Sequence, residues 1–318
     1  MTLNLIYISS MAGYKAKYVY LGVVVSDTGS ISHDIEQFVE SKRANVTIKF
    51  NNFLRKNFLA PLPEKLKVLD VCVSTTLTYG CETWGTASVN SIEVAYRHGL
   101  KRALSIRETT NTEIVYIEAN RHPLNIRITR QQLKFWNSIQ TYLSANPDHP
   151  LGSIIQQAKE LRLPYIQYYV NLQAEYVDTK VCEESLTQNF RDACMMKIQQ
   201  KAEEDENSRL GVYLKVNPQL EHPPHNYQQN PEFERVLITR YRSGSHNLKI
   251  ETGRLCNPTI PRDERICSCN TGLQTLHHCL FVCPLLAEIR ADYEYESIEE
   301  AFKLPNVAKL LMEIDRVI

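Results

Sequence analysis

The sequence lacks several features that would assign a protein to a specialised class. Lys+Arg and Asp+Glu balance at 36 each over 318 residues, so the overall charge indicates no particular partner. No apolar run approaches the about 20 residues that cross a bilayer. The opening residues show neither a basic n-region nor a long apolar core, so we expect no membrane span and no signal peptide. There is also no internal repeat, no glycine-rich phosphate loop and no Ser/His/Asp or Cys/His catalytic arrangement.

The composition is that of a globular protein. Apolar residues make up 43% and charged residues 23% of the chain, which argues against disorder over its whole length. A chain of this length can bury a substantial core, and we expect two or three domains.

The nine cysteines fall into a scattered set and a clustered set. Without a signal peptide we expect them to be reduced, which places the chain in the nucleus or the cytoplasm. We expect the scattered cysteines to fill core positions, because a free cysteine behaves as a small hydrophobic residue. The scattered set is Cys72, Cys81, Cys182 and Cys194, and the clustered set is Cys256, Cys267, Cys269, Cys279 and Cys283.

The hydrophobic pattern predicts a mainly α fold with minor β structure at the N-terminus. Residues 18–25 are rich in β-branched and aromatic side chains and predict one short strand, closed by a turn at 26–29. Apolar residues then recur at helical spacing, with Ser32 as an N-cap and Pro63 in a first turn. The first three helices have short links, which favours an antiparallel bundle. The predicted helical segments are 32–57, 63–80, 88–106, 112–119, 124–145 and a block at 151–207, with a polar loop at 217–231.

The clustered cysteines lie in a segment that reads C-x-C-x8-H-x4-C. Three thiolates and one imidazole suit tetrahedral Zn²⁺ in a closed structural site. In an extended segment residues i and i+2 point to the same side, so the first pair can hold one metal ion. A turn at 270–272 can bring the second pair back. The ligands predicted in this way are Cys267, Cys269, His278 and Cys283.

The spacing of the second pair raises a geometric objection. His278 and Cys283 are five residues apart, which is about 140° around a straight α-helix. Either this stretch is partly non-helical, or Cys279 or His277 takes the place of a ligand. The alternative interpretation is that Cys279 and Cys283 face a core and that the histidines lie on the surface.

A basic strip precedes the cysteine cluster. Between residues 235 and 254 five basic residues stand against one acid, Glu251, with Tyr241 and His246 between them. Arginine and lysine suit phosphate contacts, while tyrosine or histidine can stack on bases. A solvated charged face is the alternative. The strip consists of Arg235, Arg240, Arg242, Lys249 and Arg254.

Together these residues resemble the C-terminal part of LINE-type (non-long-terminal-repeat) retrotransposon reverse transcriptases. Tyr20-Leu21-Gly22 is similar to the strand near the primer grip of that family, and the helices that follow are similar to its helical thumb. Residues 264–284 resemble its terminal zinc knuckle, with His278 as the preferred ligand. The resemblance covers about residues 18–290.

The resemblance implies specific partners. The thumb would hold a template–primer duplex through backbone phosphates, and the knuckle with its basic strip would hold element RNA or target DNA. Binding to a membrane is not expected. The thumb residues implied in phosphate contacts are Lys42, Arg43, Arg55 and Lys56.

The departures from the family matter for activity. Its polymerase core uses an Asp-Asp pair and a further aspartate to hold two Mg²⁺ ions. This sequence contains no Asp-Asp pair. It begins where the palm should be ending, residues 1–13 do not resemble palm sequence, and no endonuclease is recognisable. We therefore expect the chain by itself to be inactive as a polymerase, with Mg²⁺ belonging only to the missing palm.

The sequence predicts a nucleic-acid-binding C-terminal fragment of a retrotransposon RNA-directed DNA polymerase. The alternatives are a helical, zinc-stabilised scaffold for a protein partner, or a decayed element copy with no activity. The predicted organisation is an end of the palm at 1–30, a thumb-like bundle at 31–106, a helical connector at 107–231 and a zinc-knuckle module at 232–318.

Overall fold

The computed structural model describes residues 17–20, 23–26, 31–84, 89–226 and 231–318. It confirms the prediction of a mainly helical protein. The predicted single strand is instead a hairpin, in which β1 (Lys17–Tyr20) pairs antiparallel with β2 (Val23–Ser26). Most of the predicted turn at 26–29, together with Leu21, Gly22 and residues 1–13, lies outside the described residues.

The helices follow the predicted segments closely, because their apolar residues keep the 3.6-residue period. The helix expected at 63–80 differs, since it widens into a π-helical stretch at Leu69–Ser74 and continues at Thr75–Leu77. The predicted block at 151–207 is three helices, and Pro150 and Pro164 start two of them at the position where proline is tolerated. The helices up to the 217–231 loop are α1 (Ile31–Lys56), α2 (Leu62–Val68), α3 (Cys81–Trp84), α4 (Val89–Leu104), α5 (Thr112–Ala119), α6 (Leu124–Ala145), α7 (Pro150–Glu160), α8 (Pro164–Glu175), α9 (Thr179–Glu204) and α10 (Arg209–Val216).

Five short helices follow the polar loop, which contains a 3₁₀ turn at Pro224–Asn226. Further 3₁₀ turns lie at Arg262–Glu264 and Pro284–Leu286, and a π-helical turn lies at His278–Val282. The helices are α11 (Glu232–Arg242), α12 (Lys249–Thr252), α13 (Ala287–Ala291), α14 (Ile298–Lys303) and α15 (Val307–Val317).

The chain forms two compact units that interleave along the sequence. One consists of residues 1–50, 69–96 and 122–191, and the other of 51–68, 97–121 and 192–318. These units cut across the boundaries predicted at 106/107 and 231/232, because helices that are distant in sequence pack together.

The first unit has an aromatic centre. The rings of Trp136 and Tyr169 stack with centroids 5.2 Å apart, and both side chains are almost fully buried. The indole Nε1 of Trp136 donates to Gln173 at 2.8 Å, so the polar atom of the buried ring is satisfied. Leu133 and Cys182 pack beside them, with Cys182 filling core space as predicted. Cys81 is also buried, whereas Cys72 is exposed and does not fit the core prediction.

The second unit has a hydrophobic core built around α11 and α15. α15 packs against α11, with Leu310, Leu311 and Ile314 at most 1% exposed. The hydroxyl of Tyr241 donates a hydrogen bond to Asp315 across this contact. The C-terminal helix α15 is therefore a packed part of this unit.

A buried polar network joins other helices of the second unit. Glu118 at the end of α5 is fully buried and accepts hydrogen bonds from Arg242 Nε at 3.0 Å and from the Tyr213 hydroxyl at 2.9 Å. Asn226 donates to the Glu118 carbonyl oxygen at 2.9 Å and accepts from Thr239 at 2.8 Å. Burial lowers the pKa of the Arg242 guanidinium, but Glu118 and Tyr213 together outweigh burial and raise it above its ordinary value. This network fixes α5, α10 and α11 to one another.

Candidate metal centre

The first two predicted ligands lie on a short hairpin. Ile266 and Leu273 form an antiparallel bridge, and the backbone N–H of Cys267 donates to the Gly272 carbonyl at 2.8 Å. The chain reverses at Asn270, whose φ of +59° is in the left-handed region that asparagine tolerates. The sequence Asn-Thr-Gly thus makes the predicted turn, and the two thiols are held on one side of it.

The second pair lies at the two ends of a π-helical turn, with His278 as the first residue of His278–Val282 and Cys283 directly after it. This turn removes the objection that ligands five residues apart would point to different sides of a helix. The backbone N–H of Cys283 donates to the His278 carbonyl at 2.7 Å, a bond between residues five apart. A π-turn carries one residue more per hydrogen-bonded ring than an α-helix, so residues i and i+5 come close together. The side chains of His278 and Cys283 therefore lie on the same side of the turn, which they would not do on a straight α-helix.

The four donor atoms lie together in one compact group. All lie within 4.8 Å of one another, with the Cys267 and Cys283 sulfurs 3.8 Å apart and the Cys269 sulfur 3.2 Å from His278 Nε2. Around a metal bound to sulfur at about 2.3 Å and to nitrogen at about 2.0–2.1 Å, tetrahedral angles set these separations at about 3.8 and about 3.6 Å. The cluster could therefore hold a metal ion.

The electrostatics of the thiols favour a cation among them. Burial and the neighbouring Cys269 and Cys267 raise the pKa of the Cys283 thiol to about 11. At Cys269 partial burial raises the pKa, but hydrogen bonds from Thr271, His278 and Cys267 lower it to about 6. Several thiolates cannot coexist at this distance without a positive charge between them, and a divalent ion supplies it.

The structure also separates the alternative ligands from the cluster. Cys279 is fully buried in the hydrophobic core of the second unit, and burial raises the pKa of its thiol far above the ordinary value. His277 is exposed and its ring lies 5.1 Å from that of Phe281. Neither belongs to the group of four donor residues.

The hairpin is fixed to α12 by one buried arginine. Arg265 donates to the Ile250 carbonyl at 2.8 Å and to the Ile260 carbonyl at 2.7 and 3.0 Å. Its side chain lies over Gly253, where a Cβ would approach the Arg265 Nε to 2.7 Å. Gln274 accepts from the Lys249 backbone N–H at 2.7 Å. Arg265 and Gly253 therefore position the metal-binding hairpin without touching a metal.

Two residues of the predicted phosphate-binding strip are buried in ion pairs, and the structure corrects the prediction there. Arg242 pairs with the fully buried Glu118, and Arg235 is 3% exposed and bonded to Glu232 at 2.7 and 2.8 Å. Glu232 also accepts from the buried Lys65. The sequence showed only that these residues are positively charged. It could not show that Arg242 pairs with a glutamate that is distant in sequence.

The other residues of the strip keep some access to solvent. Arg240 and Lys249 are exposed, although each donates to a backbone carbonyl, Arg240 to that of Ser105 at 2.9 Å and Lys249 to that of Ile266 at 2.9 Å. Arg254 is half-buried and lies 3.7 Å from Glu251.

The aromatic part of the strip is buried as well. Tyr241 and His246 lie against each other with centroids 4.9 Å apart. Burial, reinforced by Arg107 and Arg209, lowers the pKa of His246 to about 3. Both rings are packed inside the unit, and neither is exposed to stack on a base.

The predicted thumb residues fall in both units. Lys42 and Arg43 belong to the first unit, where Arg43 pairs with Glu40 at 2.5 Å. Arg55 and Lys56 belong to the second unit and are exposed at the end of α1. The four residues thus do not form one cluster within a single unit.

No family model, curated protein or solved structure matches this chain. The resemblance to a reverse transcriptase therefore rests on the motifs in the sequence and stays a prediction. Among the described residues no helix is both long and apolar enough to traverse a lipid bilayer.

Proposed function

We propose that Cys267, Cys269, His278 and Cys283 bind a structural Zn²⁺ ion. Three sulfurs and one imidazole nitrogen in tetrahedral arrangement match the preferences of zinc, and four protein ligands leave no open position for a substrate. The supporting observation is the separation of the donor atoms, which lies close to that of a zinc-bound set. The ion would lock the hairpin to the π-helical turn.

We propose further that the chain is a nucleic-acid-binding protein related to the C-terminal part of a LINE-type reverse transcriptase. The zinc-binding hairpin stands next to Lys249 and Arg254, whose cationic groups are at least partly accessible. A compact zinc module flanked by cations is a common way to hold a nucleic-acid backbone. Since the sequence has no Asp-Asp pair, the proposed role is binding and not DNA synthesis.

Binding of RNA and of duplex DNA, measured against ionic strength, tests the nucleic-acid proposal. Each phosphate that is neutralised releases counterions, so the affinity should fall steeply with salt, with a slope of about −0.9 per contact on duplex and about −0.7 on single strands. Absence of binding at low salt, or an affinity that does not respond to salt, would refute the proposal.

A variant set separates this function from that of a protein scaffold. Replacing Arg240 and Arg254 with glutamine removes two accessible charges and should weaken nucleic-acid binding while zinc content and helicity stay unchanged. Arg242 is left intact, because its replacement would leave Glu118 as a buried, unpaired charge. If the variant binds nucleic acid like the wild type, the scaffold interpretation is preferred.

A further inference from the structure

Three arginines of the second unit line one open cavity. Arg55, Arg102 and Arg240 come from α1, α4 and α11, and the cavity between them has a volume of about 520 Å³. This size lies within the about 300–1,000 Å³ typical of ligand pockets and exceeds what a single phosphate group needs. No acidic side chain lines the cavity, and its remaining lining comes from asparagine, serine and aliphatic residues.

These arginines differ in their partners from three other arginines of the same unit. Arg209, Arg235 and Arg242 are each neutralised by a glutamate at 3.0 Å or less. Within the described part of the chain, by contrast, Arg55 donates to Asn52 at 3.2 Å and Arg240 to the Ser105 carbonyl at 2.9 Å, both neutral groups. Arg102 is exposed beside them. The cavity thus brings together three arginines for which the described residues show no carboxylate partner.

The helix ends offset only part of this charge. Each of the three arginines lies in the last turn of its helix, where a cation is favoured by the helix dipole. A helix C-terminus carries about −0.5 of an elementary charge, so three ends offset about half of the three guanidinium charges. The cavity keeps a charge of about +1.5. The dipole favours an arginine at each of the three helix ends, but it does not neutralise the three guanidinium groups that line the cavity.

A buried acceptor in the same cavity lacks a donor. Asn51 lines the cavity, and among the described residues no group donates to its Oδ1 atom, which is shielded from solvent. An unsatisfied buried acceptor is unfavourable unless a ligand supplies the hydrogen bond. Once the Asn51 side chain rotates this oxygen toward the cavity, a hydroxyl group carried next to an anionic group would satisfy both the asparagine and the arginines.

We propose that Arg55, Arg102 and Arg240 bind a phosphodiester group of a nucleic-acid strand, with the adjoining sugar in the remaining space near Asn51. Guanidinium groups form paired hydrogen bonds with phosphate oxygens, which makes arginine suited to this contact. The inference rests on the proposed nucleic-acid binding and deepens it, because it places a backbone contact away from the zinc hairpin.

Single substitutions of Arg102 test the site, because Arg102 is exposed and its replacement should disturb the packing little. We would measure the affinity for a labelled single-stranded RNA over a series of salt concentrations. Arg102→Gln should weaken binding about tenfold, the range of one charged hydrogen bond, and should reduce the salt slope by about 0.7. Arg102→Lys should keep the slope but bind more weakly than the wild type, because a lysine cannot form the paired contact.

The control is Arg316→Gln, which removes one exposed positive charge from α15 in the same unit, outside the cavity. It should leave affinity and slope close to those of the wild type. The double variant Arg55→Gln and Arg102→Gln would take the local charge from about +1.5 to about −0.5, and it should remove the contact altogether. Helicity and zinc content are measured alongside, so that a folding defect is recognised.

The outcomes are distinct. If the wild type binds RNA with a normal salt slope but Arg102→Gln behaves like Arg316→Gln, the phosphodiester site is wrong while the proposed function stands. If the wild type does not bind nucleic acid, both fail. If a free 5′-mononucleotide binds with the expected dependence on Arg102 and the RNA does not, the cavity serves a small phosphorylated ligand and the inference about a strand is wrong.

Discussion

Two cysteines on the same turn provide the sharpest test of the metal centre. Cys279 and Cys283 are both fully buried and four residues apart, yet only Cys283 belongs to the group of four donors. Replacing either with alanine removes the same thiol from an equally buried position. The pair therefore separates the loss of a metal ligand from the loss of a packed side chain.

The expected magnitudes differ clearly. Loss of packing at either cysteine should cost about 1–2 kcal/mol, the ordinary range for a core substitution. At a free zinc concentration 1,000 times the dissociation constant, a bound ion contributes about 4.1 kcal/mol to the free energy of unfolding. Cys283→Ala should lose both contributions, whereas Cys279→Ala should lose only the first. At about 2–4 °C per kcal/mol, the metal contribution corresponds to about 8–16 °C in Tm.

Unfolding of the three proteins with and without a chelator measures this contribution directly. The wild type and Cys279→Ala should each contain one zinc ion and should lose about 4 kcal/mol when the chelator is added. Cys283→Ala should contain no zinc and should not respond to the chelator. The assignment is refuted if Cys283→Ala keeps its metal, or if Cys279→Ala loses it.

Three further substitutions test the surroundings of the centre and the buried network. Gly253→Ala should destabilise the protein by about 1–3 kcal/mol in urea unfolding, because the new Cβ would meet the buried side chain of Arg265. Glu118→Gln should cost about 3–5 kcal/mol, because Arg242 would be left buried without its counter-charge, and adding Arg242→Met to it should recover part of that loss. His246 has a folded pKa of about 3, below the about 6.5 of an unfolded histidine, so the unfolded state takes up its proton first as the pH falls. Between those pH values this histidine should reduce stability by about 1.4 kcal/mol per pH unit, and His246→Gln should remove that part of the slope.

Matched controls make these results specific. Gly272→Ala introduces a Cβ at an ordinary 3.5 Å from His278 Nδ1 and should be tolerated better than the change at Gly253. His277→Gln, which replaces an exposed histidine of the same unit, is the control for the substitution at His246. Equal effects of Gly272→Ala and Gly253→Ala would contradict the steric argument, and an unchanged slope in His246→Gln would contradict the role of its burial.

The fold class and the four donor residues could be predicted because their signals are local. Helical periodicity is visible within a window of a few turns, and it placed α4, α5 and α6 within a residue or two of their observed ends. The spacing of cysteine and histidine indicated a metal site but left His277 and Cys279 open as ligands, and the preference for His278 came from the resemblance. The spacing did not show how His278 and Cys283 meet, because the π-helical turn that solves the problem leaves no mark in the pattern.

The partners of the charged residues could not be predicted because they are distant in sequence. Arg242 meets Glu118 across 124 positions, and Lys65 meets Glu232 across 167. A run of basic residues shows how many positive charges are present, but it does not show which of these side chains are buried in the folded protein. The same limitation hid Arg102, which joins Arg55 and Arg240 only after three helices are packed.

The interleaving of the two units has a practical consequence for any shortened version of the protein. A fragment beginning at residue 232 would retain all four donor residues and α15, yet Arg242 would have lost Glu118 and would sit in the interior as a lone cation. Such a fragment would fold poorly even with zinc present. A failure of this fragment to bind zinc would then reflect the missing part of the unit and not the four donor residues. Only a polypeptide that carries all three segments of the second unit, 51–68, 97–121 and 192–318, gives the hairpin its natural support.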